Sequence, residues 1–373
     1  MATGPDQFAH RILSGQARGV GPAILRGLLR GVEPIYAAAM RLRNAAYRRG
    51  IFRAHKLPRP VVSVGNITAG GTGKTPMVQW LADRLRAAGH RPAVLLRGYK
   101  ASGGHESDEA RMLADALRAP DGWSVPVEAR PDRLAGGLAV LQRHPDADVF
   151  LLDDGFQHRR LHRDFDLVLI AASEPFGFGH VHPRGLLREP LAGLGRAHAF
   201  VVTRADGAWA RQRRLIETTI RQWNGDAPIY FARHVHRGLR SGLSQPWEPP
   251  DQELAQLKDK RFFAFAGIAD PVSLHRQLLS LPGQYVGSSW FSDHHRYTAD
   301  DLAQMRRRAG QLNADVILVT QKDWPKLSPL ASLGQSPPLW RIDLRIEFEA
   351  DGEAQLIEQI GRRLGRALAP PPS

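Results

Sequence analysis

One stretch limits the possible folds of this chain more than any other: Val61-Val-Ser-Val-Gly-Asn-Ile-Thr-Ala-Gly-Gly-Thr-Gly-Lys-Thr-Pro76. The β-branched run Val61, Val62 and Val64 predicts a buried strand. A glycine-rich turn follows (Gly70, Gly71, Gly73), then Lys74 and Thr75, then apolar residues at helical spacing, Met77, Val78, Leu81 and Leu85. This is the layout of a phosphate-binding loop, with Thr68, Ala69, Gly70, Gly71, Thr72, Gly73, Lys74 and Thr75 as its candidate nucleotide-binding residues. Glycines let backbone N–H groups turn toward a polyphosphate, the lysine ammonium bridges its outer oxygens, and the threonine hydroxyl ligates Mg²⁺. In the pattern G-x-x-x-x-G-K-[ST] the first glycine would fall at Thr68. A glycine-rich strand-to-helix turn with no ligand is the plainer alternative. The ordered succession of strand, glycines, Gly-Lys-Thr and helix favours phosphate.

The rest of the chain fits an α/β architecture with a largely parallel sheet, because strand and helix signals alternate. Strands are predicted at 92–96, 149–152, 165–170 and 199–203, and helices at 76–88, 107–118, 131–143 and 208–223. A Pro-, Gly- and Ser-rich stretch from Gly238 to Pro250 marks a boundary, followed by strands at 262–266 and 315–320, a helix from Pro271 and a last helix at 353–368. The segments 229–234 and 340–348 alternate like strands and flank this second unit, as a two-stranded connector would. The expected division is a P-loop domain over 1–228 and a smaller α/β domain over 229–373, with the last helix able to pack back on the first. A chain of 373 residues is long enough for two cores.

A second motif stands where such a fold places its metal-binding carboxylates. Val149-Phe-Leu-Leu152 is a short apolar run that ends in Asp153-Asp-Gly-Phe-Gln-His158. Carboxylates at the end of a central strand hold Mg²⁺ directly or through water. An Asp-Asp-Gly turn is otherwise a common solvated feature, and its pairing with the loop at 68–75 is what gives it meaning. Gln157 and His158 are candidates for orienting water or phosphate. Ser107-Asp108-Glu109 precedes an apolar-periodic segment, so it reads either as a helix cap or as a base with a metal ligand. Asp293-His294-His295 offers consecutive histidines but no third ligand at recognisable zinc spacing.

Charge and composition narrow the partners. The net charge of +14 comes from 51 basic residues, only seven of them lysine, against 37 acidic ones. Such a surplus suits nucleic acid, an anionic membrane or a phosphorylated substrate, and an arginine-rich genome accounts for part of it. The chain has no cysteine, which excludes disulfides and cysteine nucleophiles and fits a reducing compartment. No stretch approaches the ~18 apolar residues of a membrane span, and arginines interrupt any signal-peptide core. Residues 32–53 combine Ile35, Ala39, Leu42 and Ala46 with Arg41, Arg43, Arg48, Arg49 and Arg53. A basic amphipathic helix of this kind either lies in a membrane interface or packs on a core.

Together these motifs resemble the tetraacyldisaccharide 4′-kinase (lipid A 4′-kinase) family. The resemblance rests on 64–76, Arg97-Gly98-Tyr99, Ser107-Asp108-Glu109, Asp153–His158, Leu187-Arg-Glu-Pro190, Asp293-His294-His295 and Thr320-Gln-Lys-Asp323, in the family's order over roughly residues 30–365. A small polar residue at position 68 is characteristic of that family, while Gln321 stands where an acidic residue is common. The resemblance implies transfer of the ATP γ-phosphoryl group to the 4′-hydroxyl of tetraacyldisaccharide 1-phosphate, giving lipid IVA. It also implies ATP and Mg²⁺ as cofactors, a site in a cleft between two domains, and peripheral residence on the cytoplasmic face of the bacterial inner membrane. No nucleic acid and no obligate protein partner are expected. Carried over by position, Lys74, Asp108 and His294 are catalytic, with Asp108 as base and His294 supporting it. Thr75, Glu109, Asp153 and Asp154 surround the metal, and Arg97, Arg133, Gln157, His158 and Glu189 bind substrate or support the site.

The rival is a P-loop GTPase or ATPase acting as a switch or assembly factor. Thr203-Arg-Ala-Asp206 faintly resembles the guanine-reading Asn-Lys-x-Asp motif. Thr203 lacks the side-chain amide and Arg204 replaces the lysine, so the match is weak.

Overall fold

The computed structural model describes residues 5–98, 108–119, 122–205, 210–241, 251–268, 271–292, 295–331 and 335–365, excluding the side chains of 5–8, 108 and 109. The chain divides into two compact units: Met1–Arg111, Pro120–Arg233 and Glu347–Ser373 form the first, and Met112–Ala119 with His234–Ile346 form the second.

The first unit begins with helices α1 (Pro5–Leu13) and α2 (Val20–Arg48). Its α/β core then runs β1 (Val61–Asn66), α3 (Lys74–Ala87), β2 (Pro92–Leu96), the first residues of α4 (Asp108–Ala116), whose part from Met112 belongs to the second unit, β3 (Val127–Ala129), α5 (Arg133–Arg143) and β4 (Val149–Asp153). It continues through β5 (Phe165–Ala171), β6 (Ala199–Thr203), α6 (Ala210–Trp223) and the start of β7 (Ile229–Ser241), whose part from His234 belongs to the second unit. The strands lie in the order β3-β2-β4-β1-β5-β6-β7, and every one of these pairs is parallel. All residues of β1, β2, β4, β5 and β6 are buried, which explains why they read as unbroken apolar runs rather than alternating ones. One face packs Leu57, Ala93, Leu95, Phe150 and Val140 of α5, and the other packs Val168, Ile170, Phe200 and Ile216 and Ile220 of α6.

Strand β1 lies between β4 and β5, so the strand order reverses beside it. In open parallel sheets a ligand site forms at the carboxyl ends of the strands at such a point, and the glycine-rich loop leaves β1 there. Two close approaches shape that edge. A Cβ on Gly65 would lie 2.6 Å from the Cβ of Phe156, so only glycine lets the turn after β4 cross β1. Gly73 takes φ 83° immediately before α3, a conformation that costs other residues strain.

The second unit comprises β8 (Arg261–Gly267), α7 (Pro271–Leu279), β9 (Gln284–Phe291), α8 (Ala299–Gln311), β10 (Val316–Thr320), α9 (Trp324–Leu327) and most of β11 (Leu339–Phe348). Its order is β11-β10-β8-β9, again parallel, with the outer part of β7 next to β11. Phe263, Phe265, Val319 and Trp324 centre its core. The chain then returns to the first unit as α10 (Gly352–Leu364), where Glu353 pairs with Arg84 at 2.8 Å and the Gln359 amide donates to the His198 carbonyl at 3.0 Å.

The N-terminal helix differs from the expected 32–53. It starts at Val20 and ends at Arg48, because Gly50 (φ 74°) turns the chain out of the helix and leaves Ile51, Phe52 and Arg53 beyond it.

Replacing Gly65 by alanine should cost about 1–3 kcal/mol of stability through overpacking against Phe156. It should also weaken ATP binding, since the same crossing seats the phosphate loop. Urea denaturation and nucleotide titration would check this, and a wild-type midpoint with wild-type ATP affinity would contradict it.

Candidate phosphoryl-transfer site

The loop after β1 is held from both sides of the sheet. Asn66, buried at the end of β1, donates through Nδ2 to Thr72 Oγ1 at 2.9 Å. Thr203, at the end of β6, donates its hydroxyl to the Thr72 carbonyl at 2.9 Å. The loop's entry forms a short antiparallel pairing with 186–188: Ala69 N–H donates to the Leu186 carbonyl at 2.7 Å and Arg188 N–H to the Ile67 carbonyl at 2.8 Å. Gly73 gives α3 no side-chain cap, so the first-turn amides, with the positive end of the helix dipole, are available to an anion. Lys74 and Thr75 are the first two residues of that helix.

The carboxylates arrive from β4. Asp153, level with Val64 in the β1–β4 pairing, is buried. Asp154 turns out of the strand with φ 53°. Its carboxylate lies 3.6 Å from Lys74 Nζ and accepts from Arg188 Nη1 at 2.8 and 2.7 Å on its two oxygens. Burial alone pushes this carboxyl up, but Lys74 and Arg188 outweigh it and hold it below the ordinary aspartate value.

Glu189 is a different kind of acid. Only 1% exposed, it accepts from Arg196 Nη2 at 2.8 Å, Gln157 Nε2 at 3.0 Å and Asn44 Nδ2 at 2.9 Å. Burial works against its charge, and Arg196 with the two amides overcomes it, keeping the carboxyl ionised below its usual range. Gln157 also donates to the Asn66 carbonyl at 2.9 Å, so Gln157 and Glu189 brace the loops around the site. Burial and then the charges of Arg133 and Arg163 lower the His158 pKa to about 4, so this imidazole is neutral near pH 7. Arg133 is itself buried in the first turn of α5, and Arg97 lies exposed just beyond β2.

The structure thus brings Lys74, Asp154, Gln157 and Glu189 into one bonded system, with Thr75 and Asp153 on the adjoining helix turn and strand end. Asp108 and Glu109 open α4, but their side chains lie outside the described residues, as does His294 altogether. Sequence reasoning did not single out Arg188, Asn66, Tyr36 or Asn44. Arg188 stands inside the quoted Leu187-Arg-Glu-Pro190 motif, yet nothing local reveals that residues 186–188 pair with the phosphate loop. Thr203 was noticed for a base-reading role, whereas its hydroxyl serves the loop.

Among the described residues no group of three or more His, Cys, Asp or Glu side chains is arranged to hold a metal. Mg²⁺ keeps several waters and takes phosphate oxygens with one or two carboxylates. The hydroxyl-plus-carboxylate donor set of Thr75 and Asp153 fits it.

The family model for tetraacyldisaccharide-1-P 4′-kinase matches residues 25–364. The chain belongs to that family. The tetraacyldisaccharide 4′-kinase of Syntrophus aciditrophicus is 37% identical over 348 residues, covering 89% of this chain and 92% of the relative. That of Syntrophobacter fumaroxidans is 38% identical over 375 residues, covering 94% and 93%. A crystal structure of LpxK from Aquifex aeolicus in complex with ATP is similar at 28% identity and a TM-score of 0.69, covering 91% of this chain and 99% of that one. The 4′-kinase family therefore accounts for nearly the whole chain, both units included.

The Glu189 carboxyl of this 4′-kinase has a folded pKa below its unfolded one, so its stabilisation is complete above about pH 4.3 and is lost as the pH falls through the depressed value. Glu189→Gln should therefore cost about 1–3 kcal/mol at pH 7, by leaving Arg196 poorly paired. The gap to wild type should close in acid. Urea midpoints at pH 7 and in strong acid measure it, and a gap independent of pH would contradict the assignment.

Proposed function

We infer that this member of the family is an ATP-dependent kinase that phosphorylates the 4′-hydroxyl of tetraacyldisaccharide 1-phosphate in lipid A biosynthesis. The observation that carries this reading is the convergence of Lys74 and Arg188 on Asp154 beside the uncapped start of α3. Two cations and a row of amides suit the β- and γ-phosphates of a nucleotide, and charge stabilisation with positioning supplies most of the catalysis in phosphoryl transfer. In the reaction the bond between the γ-phosphorus and its bridging oxygen breaks. The acceptor oxygen bonds to that phosphorus and its proton leaves to a base. We assign the base to Asp108 with His294 in support, on the motif resemblance. Lys74 follows the transferring charge, and Arg188 holds Asp154 so that the lysine is correctly aimed. Thr75 and Asp153, with Glu109 and Asp154 nearby in sequence motif, would hold Mg²⁺, which when bound neutralises charge on the β- and γ-oxygens. The Thr203 hydroxyl, the first side chain of the motif behind the GTPase reading, donates to the Thr72 carbonyl instead of facing a base.

The acceptor carries acyl chains, and α2 offers a surface suited to the bilayer in which they sit. Val20, Ile24, Leu28, Ile35 and Leu42 are between 59% and 76% exposed. At 100° per residue they fall within an arc of about 80°. Exposed Arg30, Arg41 and Arg48 border that stripe. No described helix is long and apolar enough to cross a membrane. This stripe, bordered by arginines, supports a peripheral position on the anionic cytoplasmic face of the inner membrane, where ATP is available.

Purified protein incubated with ATP, Mg²⁺ and tetraacyldisaccharide 1-phosphate in mixed micelles should yield a bisphosphorylated lipid with a new 4′ phosphorus resonance. Nucleotide hydrolysis without lipid phosphorylation would reject the reading. Lys74→Ala should lower kcat by about 10²–10³-fold, and near-normal turnover would remove this loop from catalysis. Replacing Ile24, Leu28, Ile35 and Leu42 by serine should shift the protein from anionic vesicles to the supernatant, whereas unchanged partitioning would place recruitment elsewhere.

A further inference from the structure

The inner face of α2 does more than cover the core. Glu33 accepts from the Val181 N–H at 3.1 Å and meets His180 Nδ1 at 2.9 Å. One turn on, the Tyr36 hydroxyl donates to the Arg188 carbonyl at 2.8 Å. Arg43 Nη2 donates to the Gln157 carbonyl at 2.8 Å, and Asn44 Nδ2 to Glu189 Oε2 at 2.9 Å. In return the Asn44 carbonyl accepts from Arg159 at 3.0 Å. These residues recur at helical spacing on one side, roughly opposite the exposed apolar stripe.

The Tyr36, Arg43 and Asn44 side-chain contacts end on segments that build the phosphate site. Arg188 is the residue whose N–H closes the pairing with Ile67 and whose guanidinium holds Asp154. Glu189 and Gln157 brace the end of β1. A helix that merely packed on the sheet would meet it through apolar side chains. This one instead places polar atoms on the backbone and carboxylates of the catalytic loops, with Ala37 as its one buried apolar residue.

We propose that α2 sets the geometry of the phosphoryl-transfer site, with Tyr36 and Asn44 as positioning residues for the reaction. The inference rests on the reading of Lys74, Asp154 and Arg188 as the transfer site. Tyr36 fixes where Arg188 leaves the loop, and Asn44 orients Glu189 so that Gln157 remains on the end of β1. Small displacements at such positions matter, since a misplacement of about 1 Å costs up to about 10²-fold in rate.

The test uses the full chain in mixed micelles with ATP and the tetraacylated acceptor. Tyr36→Phe removes one hydroxyl and keeps the ring. It should lower kcat by about 3–10-fold, with KM for ATP and partitioning to anionic vesicles unchanged. Asn44→Asp sets a second carboxylate against Glu189. Its kcat should fall steeply at pH 8 and recover toward pH 6 as the pair takes up a shared proton, whereas Asn44→Ala should show a loss without that recovery. Wild-type kcat in Tyr36→Phe, or an Asn44→Asp profile parallel to wild type, would overturn the proposal, as would a fall in melting temperature with no change in kcat. Tyr36→Phe decides alone if the Asn44 variants do not fold. Lys74→Ala is measured beside them: if it stays active the transfer-site reading fails, and if it is inactive while Tyr36→Phe and Asn44→Asp behave as wild type, the positioning role alone fails.

Discussion

The Asp154 carboxylate, shared between Lys74 at 3.6 Å and Arg188 at 2.7 Å, ties together three pieces of chain that are distant in sequence. It joins the end of β4, the first turn of α3 and the strand-like segment 186–188. Two cations gathered on one carboxylate repel each other unless that anion offsets their charge. Asp154 relieves that repulsion, and its φ of 53° is the backbone strain accepted to turn the carboxylate into the site. The same arrangement suits a site that receives a polyphosphate, whose charge the two cations can also bind.

Around this ionic centre lies a second, drier layer. Glu189 is almost wholly buried and keeps its charge only because Arg196, Gln157 and Asn44 all donate to it. A buried ion pair is poor evidence for stability. Its value here is positional: the Arg196 guanidinium also stacks 4.4 Å from the centre of the Phe156 ring, and Phe156 is the residue that crosses Gly65. The acid therefore locks the turn after β4 against β1 and against α2 at once. Helix α2 and the phosphate loop are joined through charged and amide groups whose geometry is far less forgiving than apolar packing.

How much of this the sequence disclosed follows physical lines. The phosphate loop was legible because strand, glycines, Gly-Lys-Thr and helix are contiguous. The strands β1, β2, β4, β5 and β6 were legible because burial on both faces demands unbroken apolar runs. Strand β9 was not, since Gly287, Ser288 and Ser289 dilute its pattern, and β3 is only three residues long. Helix α8 escaped because Asp300, Asp301 and Arg306 to Arg308 dominate it, although Thr298 and Asp301 form a capping box that the sequence does display. The start of α2 was placed too late because Gly21, Pro22, Gly27 and Gly31 argue against a helix. Arg188 and Asn44 were illegible for a deeper reason. Arg188 holds Asp154 from 34 positions away and Asn44 meets Glu189 from 145, pairings that no local pattern records.

The shared carboxylate is tested most directly by a double-mutant cycle on kcat with Asp154→Asn, Arg188→Gln and the combined variant. If Asp154 acts by aligning Lys74 while Arg188 acts by holding Asp154, the double variant should be no slower than the slower single one. Losses that multiply independently would show that Arg188 and Asp154 serve the transferred phosphoryl group separately, and would contradict the account.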